Sequence, residues 1–308
     1  MICDFCYRHC DVVSGRPGFC GHREAQDGAL RDAGYGEVVA FAVDPVEKKP
    51  LYHFLPGSKT VSIAMGGCNF ACDFCQNWQL VQERSLHGES LSSESVVRYA
   101  KAHQYPSISY TYSEPLVWQD YMLEVAGLAS KEGLRNIMVS NGSFSKEALA
   151  RILPMLDVYN IDLKGDEAFY RDICHGTMAP VAEGLRAIIG YGAHVEVTTM
   201  VIEGVHTVRM MKSLGSLLSS IGVQVWHLSR FFPRYRMADR QATSEEFLGE
   251  VLEAVGGCGV PFVYPGNSAL PAPTVCPGCG GVVRKNPGEL VPGGVCPYCG
   301  RHIPGIWV

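Results

Sequence analysis

The chain has 308 residues, of which 47% are hydrophobic and 19% charged, and a formal net charge of −5. This balance allows a large buried core and excludes an intrinsically disordered chain, while the acidic charge without a long Lys/Arg run disfavours nucleic acid as a partner. The sequence contains no apolar run of the roughly 18–20 residues that a membrane span needs. The N-terminus lacks the basic and apolar regions of a signal peptide, so we expect a cytoplasmic protein without a membrane partner.

The chain begins with a lead-in over residues 1–58 that carries the cysteine spacing C-x2-C-x3-C-x9-C: Cys3, Cys6, Cys10 and Cys20. Thiols this close together suit a shared metal better than separate disulfides. We interpret them as a second metal site, for zinc or another iron–sulfur cluster, with His9 or His22 as substitute ligands. The alternative is a set of reduced structural thiols.

The next segment, residues 59–265, alternates β-branched apolar runs with helical patterns. The runs predicted to be strands are residues 61–65, 107–111, 136–140, 158–162, 194–201 and 223–229. Helix signals lie between them, including Ser92 and Ser145 as N-caps and a capping box formed by Thr243 and Glu246. Near-continuous apolar strands separated by helices predict an α/β fold with a parallel sheet, either doubly wound or curled into a full or partial barrel.

Polar residues follow these strands at their carboxyl ends, where a parallel sheet carries its chemistry. In chain order they are Gly66, Gly67 and Cys68; Tyr112, Ser113 and Glu114; Asn141 and Gly142; Asp162 and Lys164; and residues 227–230. We therefore expect these side chains to converge on one rim of the sheet.

The strongest single signal is the spacing C-x3-C-x2-C formed by Cys68, Cys72 and Cys75 directly after the first predicted strand. Three thiolates can ligate three irons of a [4Fe–4S] cubane and leave the fourth iron without a protein ligand. An open coordination position is what separates a catalytic metal site from a structural one. The alternatives are a three-cysteine zinc site with a distant fourth ligand, or three buried thiols.

The last segment, residues 266–308, begins with a linker rich in Pro and Gly and then carries two C-x2-C pairs. Their spacing predicts a zinc-ribbon-like module in which a structural zinc, or a rubredoxin-like iron, is bound by Cys276, Cys279, Cys296 and Cys299. The basic residues of this segment are few, so its nucleic-acid footprint is weak: Arg284, Lys285 and Arg301.

The cysteine triad and its setting resemble the radical S-adenosylmethionine (SAM) superfamily, whose signature follows the first strand of a partial (β/α)6 TIM-like barrel. The resemblance implies a radical SAM core between the N-terminal cysteine-containing segment and the zinc-ribbon-like module. It also implies an oxidoreductase-like or activase-like enzyme whose [4Fe–4S] cluster reductively cleaves SAM to a 5′-deoxyadenosyl radical, which abstracts hydrogen from a substrate.

The resemblance extends to individual SAM contacts. Phe74 occupies the position that packs beside the adenine. Ser113-Glu114-Pro115 resembles the Gly-Gly-Glu-Pro motif that contacts the SAM amino group, although Tyr112 and Ser113 replace both glycines, and Asn141-Gly142 resembles the Thr-Asn-Gly strand end. The remaining implied contacts match the pyruvate formate-lyase activating enzymes: Asp162, Lys164 and His227.

A narrower resemblance, to the radical SAM member of the AmmeMemoRadiSam system, spans nearly the whole chain. Its motifs are EKKPLYHFLPG at 47–57, YTYSEP at 110–115, WHLSRF at 226–231 and IPGIW at 303–307. It implies flavodoxin or ferredoxin as reductant, Memo-like and AMMECR-type proteins as partners, and an unidentified small-molecule or protein substrate. An activating enzyme that generates a glycyl radical in a partner is the alternative, and a non-catalytic zinc-ribbon binding module is a further one.

Overall fold

The computed structural model describes residues 1–82 and 88–307. The strands are β1 (Arg23–Gln26), β2 (Ala29–Asp32), β3 (Glu37–Val38), β4 (Ala40–Pro45), β5 (Lys59–Ala64), β6 (Glu89–Ser90), β7 (Ser107–Tyr110), β8 (Arg135–Ser140), β9 (Val158–Asp162), β10 (His194–Val201), β11 (Val225–Arg230), β12 (Phe262–Gly266), β13 (Thr274–Val275) and β14 (Val282–Arg284). The α-helices are α1 (Trp78–Gln82), α2 (Ser93–Ala102), α3 (Gln119–Lys131), α4 (Lys146–Ile152), α5 (Glu167–Phe169), α6 (Ala179–Tyr191), α7 (Val208–Ile221) and α8 (Glu245–Val255).

Within the described residues, the central sheet has eight strands in the order β12-β11-β10-β9-β8-β7-β5-β4. The strands pair in parallel except β4, which pairs antiparallel with β5. In the same described residues the edge strands β4 and β12 do not pair with each other, so the sheet does not close. A mostly parallel sheet with intervening helices confirms the prediction of an α/β, partial TIM-like barrel.

The sheet contains two strands that the sequence did not predict. β4 lies in the predicted lead-in, and β12 ends one residue beyond the predicted core. β12 contains Pro265 and Gly266, which weaken a strand signal but are tolerated because β12 is an edge strand that pairs only with β11. β4 likewise ends at an edge with Pro45.

Helix caps follow the sequence in two places and depart from it in one. Ser92 and Ser145 cap α2 and α4 as predicted, with Ser145 Oγ accepting from the backbone of Ala148 at 2.9 Å. The predicted capping box at Thr243 is wrong: Ser244 caps α8. Thr243 is buried instead, and its Oγ1 donates to Val201 O at the end of β10, 2.6 Å away.

The two flanking segments pack against the central sheet. Near the N-terminus, β1 and β2 form a hairpin, and Cys6 pairs by an isolated bridge with Phe144, just beyond β8. At the C-terminus, Cys276 and Cys296 pack in one apolar cluster with Tyr264 of β12. Among residues 1–82 and 88–307, no helix combines the length and apolar character that crossing a bilayer requires.

Candidate active site

The loop after β5 carries the cysteine triad and is held by two neighbouring segments. Gly67 has φ +89°, and a Cβ there would lie 2.4 Å from His22 Cδ2 and 2.9 Å from Cys20 O. Only glycine combines this backbone conformation with so close an approach. On the other side, the backbone N–H groups of Ala71 and Asp73 donate to the C-terminal turn of a π-helix, Tyr170–Cys174.

Cys68, Cys72 and Cys75 all line one cavity of about 350 Å³ at the carboxyl ends of the strands. Burial raises the pKa of the Cys68 thiol well above its usual value and that of Cys75 to about 11. A metal-bound thiol is deprotonated, so buried thiols of this kind need cationic partners to ionise. Phe70 N also donates to Cys68 Sγ at 3.3 Å. The donor set therefore fits an iron–sulfur cluster.

Cys174, which stands alone in the sequence, lies against Cys72. A hydrogen bond between the two thiols, followed by burial, raises the pKa of Cys72 well above its usual value. Cys174 is fully buried and is absent from the cavity lining in the described residues. It therefore lies behind Cys72 rather than across the open side of the triad, and only the π-helical turn brings it there.

Glu114 joins two strand ends beneath the cavity. Its carboxylate accepts from Ser140 Oγ at 2.7 Å, from Asn141 N at 2.8 Å and from Leu116 N at 3.1 Å. Burial raises the pKa of Glu114 to about 7, although these hydrogen bonds favour the ionised form. Glu114 lines the cavity with the end of β8 fixed beside it.

Asn141 connects the end of β8 to the triad loop. Its Nδ2 donates to Asn69 Oδ1 at 2.7 Å and lies 3.7 Å from Cys68 Sγ. Ser143 Oγ in turn donates to Asn141 Oδ1 at 2.6 Å. Asn141 is thus positioned to donate toward a cysteine sulfur.

Asp162 and Lys164 bring opposite charges to the cavity from the end of β9. Lys164 Nζ lies 2.6 Å from Asp162 Oδ2. Burial disfavours the charged lysine, but Asp162 and the nearby thiols outweigh this and raise the pKa of Lys164 well above its usual value. Lys164 N donates to Tyr170 Oη, which fixes the pair against the π-helix.

Phe74 and Ser113 also line the cavity. The Phe74 ring is 6% exposed and packs near Phe169, with the ring centroids 5.7 Å apart. Ser113 Oγ accepts from Trp118 Nε1 at 3.0 Å. The structure thus brings together the triad and, of the sequence-predicted SAM contacts, every residue except His227.

His227 does not line the cavity in the described residues. It is 1% exposed, its Nε2 lies 2.7 Å from Glu196 Oε2, and its ring packs edge-on against Tyr52. Ser229, two residues further along the same face of β11, reaches the cavity instead. His227 pairs in register with Thr198, which does line the cavity, but the His227 ring is turned toward Glu196 and Tyr52. The cavity lining therefore does not support the predicted contact between His227 and SAM, which stays a prediction.

Sequence reasoning missed a charged group at the cavity wall. Lys49 lines the cavity and is 2% exposed. Its Nζ donates to Asp44 Oδ2 of β4 at 2.7 Å. Lys48 and Tyr112 donate to the same carboxylate. Burial opposes ionisation of Asp44, but the bonds from both lysines and Tyr112 lower its pKa well below the usual range. The charged residues at 47–49 are visible in the sequence. The pairing of β4 with β5, which brings them to the cavity, is not.

The C-terminal cysteines converge on a single point. The four Sγ atoms lie within 4.8 Å of one another, with Cys276 and Cys299 at 3.6 Å and Cys279 and Cys296 at 3.7 Å. Each pair is followed by a glycine of φ +72°, Gly280 or Gly300, which turns the backbone. Four thiols at this spacing match the coordination of a tetrahedral metal ion.

Arg284, one of the basic residues of the C-terminal segment, is 3% exposed, and its guanidinium donates to Thr274 Oγ1 and Tyr52 O.

The N-terminal cysteines also gather around one small cavity between the β1–β2 hairpin and the triad loop. The cysteines that line it are Cys3, Cys6, Cys10 and Cys20. Every cysteine in the chain is a free thiol rather than a disulfide partner.

A mostly parallel partial barrel with three cysteines after its first parallel strand defines a class of SAM-cleaving iron–sulfur enzymes. The profile of the radical SAM superfamily matches residues 62–218. The uncharacterized protein MJ0808 of Methanocaldococcus jannaschii is 37% identical over 290 residues, which cover 91% of this chain and 86% of that protein. The chain belongs to the radical SAM superfamily.

Structural similarity gives the same fold. Streptococcus suis SuiB bound to S-adenosylmethionine superposes with a TM-score of 0.53 at 11% identity, over 68% of this chain and 49% of SuiB. SuiB bound to its precursor peptide SuiA superposes with a TM-score of 0.51 at 11% identity, over 68% of this chain and 47% of SuiB. This chain thus matches about half the length of SuiB, and at this identity the likeness concerns the fold alone.

Proposed function

We propose that the protein cleaves SAM reductively and uses the resulting 5′-deoxyadenosyl radical to abstract hydrogen from a substrate. One observation carries the proposal. The cysteines that line the strand-end cavity in the described residues are Cys68, Cys72 and Cys75, and the rest of its wall combines polar and charged side chains with aromatic and aliphatic ones. Three cysteines leave the fourth iron of a cubane without a protein ligand. The cavity beside them is large enough for a nucleoside.

When bound, the cluster supplies the electron that breaks the sulfonium–carbon bond of SAM. The chain supplies binding and orientation. Asp162 and Lys164 present paired opposite charges, which suit the zwitterionic methionine end of SAM. Phe74 offers a flat apolar surface for the adenine, and Glu114 holds Asn141 in place. SuiB, which shares the fold, has been solved with SAM bound.

The proposed cellular setting is the AmmeMemoRadiSam system, in the cytoplasm, with flavodoxin or ferredoxin as reductant and Memo-like and AMMECR-type proteins as partners. Support comes from the motifs at 47–57, 110–115, 226–231 and 303–307. The first of these motifs contains Lys49 at the cavity wall and His53, which binds the C-terminal tail at Pro304 O. The first and the last of these motifs are therefore in direct contact with each other.

The proposed substrate is a small molecule or a protein rather than the glycyl-radical site of a partner enzyme. The flanking cysteine segments, which a minimal activating enzyme lacks, favour this reading. Deuterium transfer into 5′-deoxyadenosine from labelled candidate substrates, measured by mass spectrometry, would identify the substrate. A glycyl-radical EPR signal in a candidate partner would select the activating-enzyme alternative instead.

The cleavage proposal is tested with Cys72→Ala, because removing one cluster ligand should abolish dithionite-dependent formation of 5′-deoxyadenosine. Cys258→Ala is the matched control, since Cys258 is a partly exposed free thiol that belongs to none of the cysteine groups. Full activity in the Cys72 variant would refute the proposal. Failure of the reconstituted wild-type protein to bind SAM would favour a non-catalytic binding module.

We further propose that the C-terminal quartet holds a structural zinc. The sulfurs already adopt the spacing of a tetrahedral site, and four cysteines leave no open position for chemistry. The metal would stabilise a segment that has few large apolar residues of its own.

A further inference from the structure

The cavity of the N-terminal cysteines resembles the triad site more than the zinc-type site. Cys3, Cys6, Cys10 and Cys20 come from a single short segment, and all four line one small cavity. In the C-terminal quartet, all four cysteine sulfurs lie within 4.8 Å of one another, and no other such group of ligand atoms is found among the described residues. Neither the N-terminal quartet nor the triad meets that spacing.

This spacing separates the two kinds of metal. Sulfurs around one zinc share a single ion at roughly 2.3 Å each and must lie close together. Cysteine sulfurs around a cubane lie further apart, because each bonds to a different iron. A quartet that shares a cavity without closing on one point therefore suits a cluster.

A second observation concerns Arg23, which lines the same cavity and is 5% exposed. Its Nη1 binds Asp120 at 2.8 Å and its guanidinium stacks on Phe5 at 3.8 Å. Its buried Nε, however, has no hydrogen-bond partner in the part of the chain that the structure describes. A buried donor without a partner is costly, and a cluster with four thiolate ligands carries the negative charge and sulfur acceptors that would satisfy it.

We propose that Cys3, Cys6, Cys10 and Cys20 bind a second [4Fe–4S] cluster. Four cysteines saturate its irons, so this cluster is closed, unlike the one at the triad. It lies beside the SAM-cleaving site. Cys20 lines a second open cavity together with Cys68, and Asn69, which borders the N-terminal cavity, is bound to Asn141.

The test measures metal and acid-labile sulfide in the anaerobically purified, reconstituted full-length protein. Two cubanes predict about eight iron and about eight sulfide per chain. The sulfide count distinguishes this result from a rubredoxin-like iron at the C-terminal quartet, which adds iron without sulfide. About four sulfide per chain would overturn the proposal, whether the N-terminal thiols then hold zinc or no metal.

Variants assign the second cluster to its ligands. Cys68→Ala/Cys72→Ala/Cys75→Ala should lose SAM cleavage and retain about half of the iron and sulfide, with a [4Fe–4S] Mössbauer signature. Cys3→Ala/Cys20→Ala should lose the other half, and Cys258→Ala should lose none. Complete loss of iron in the triad variant, with its circular dichroism spectrum unchanged, would contradict the assignment. Because the wild-type stoichiometry needs no variant, misfolding of a variant leaves the test intact.

Discussion

His227 Nε2 lies 2.7 Å from Glu196 Oε2, and both side chains are buried within the barrel. The same carboxylate also accepts from His194 Nε2 at 3.1 Å and from the backbone N–H groups of Tyr52 and His53. Burial opposes ionisation of Glu196, but the hydrogen bonds from the two histidines outweigh it and lower its pKa well below the usual range. One carboxylate thus ties β10 and β11 to the segment that precedes β5.

Glu196→Gln should lower the stability of the protein without removing the cluster ligands. The amide keeps the volume of the side chain but replaces an accepting oxygen by an N–H donor, which faces N–H groups that the carboxylate had satisfied. A buried donor left without a partner costs about 1–3 kcal/mol. Urea denaturation under anaerobic conditions would show a clearly lower midpoint. Glu250→Gln, at an exposed position of α8, is the control and should leave the midpoint unchanged.

The buried His53 should make stability depend on pH. Burial lowers the pKa of His53 to about 4 from an ordinary value of 6.5. Its Nδ1 lies 2.6 Å from Pro304 O and its Nε2 lies 2.8 Å from Tyr264 Oη. The bond to Pro304 favours the protonated ring, but burial outweighs it. Because the unfolded chain gains a proton first, stability is lost as the pH falls from about 6.5 to about 4, by roughly 3 kcal/mol.

The measurement for His53 is the urea midpoint at a series of pH values between 4 and 7. In His53→Gln the midpoint at pH 7 should be lower, because the buried contacts are changed, but its decline toward pH 4 should be shallower. Equal slopes for the variant and the wild type would show that other groups govern the acid response.

Gly67→Ala should displace the triad loop. The added Cβ would lie 2.4 Å from His22 Cδ2 and 2.9 Å from Cys20 O, in a backbone conformation that disfavours alanine. We expect reconstituted iron to fall and 5′-deoxyadenosine formation to drop at least tenfold. Gly190→Ala is the control: it lies in α6 with nothing within 4 Å of the new Cβ, and it should be neutral or slightly stabilising. Full iron content in the Gly67 variant would show that the triad loop can accommodate the added Cβ without losing the cluster.

Lys164→Met should weaken SAM binding, because it removes the cation opposite Asp162 in the cavity. A hydrogen bond to a charged group contributes about 1.5–3 kcal/mol, so the Kd for SAM should rise at least tenfold. Anaerobic titration calorimetry measures the change. Lys131→Met, at an exposed position of α3, should leave the Kd unaltered. An unaltered Kd in the Lys164 variant would place SAM away from the end of β9.

Removal of the C-terminal metal should loosen the zinc-ribbon-like module while sparing the iron. Cys279→Ser takes away an exposed ligand of the quartet. We expect the loss of about one zinc per chain and faster proteolysis within residues 266–307, since structural zinc contributes folding energy directly. Cys258→Ser should retain the zinc. If the Cys279 variant loses iron as well, the module and the barrel are coupled.

The sequence alone determined the chemistry-bearing groups and the class of fold. The spacing of Cys68, Cys72 and Cys75 is local, so it is readable without tertiary structure, and the same holds for the two C-terminal pairs. Alternation of apolar runs with helical patterns predicted the parallel sheet, because strands buried on both faces must be continuously apolar. The carboxyl-end rule then placed Glu114, Asn141, Asp162 and Lys164 on one cavity.

Only the tertiary structure decided contacts between distant segments. It paired β4 with β5, which brought Lys49 to the cavity wall, and it placed Cys174 behind Cys72 through a π-helical turn. It also turned the His227 side chain toward Glu196 and away from the cavity, although its register partner Thr198 lines that cavity. Sequence spacing gives the face of the strand on which a residue lies but not the direction of its side chain, because that direction depends on partners from distant segments. The different sulfur spacings of the N- and C-terminal quartets have the same origin, since they depend on how each segment packs.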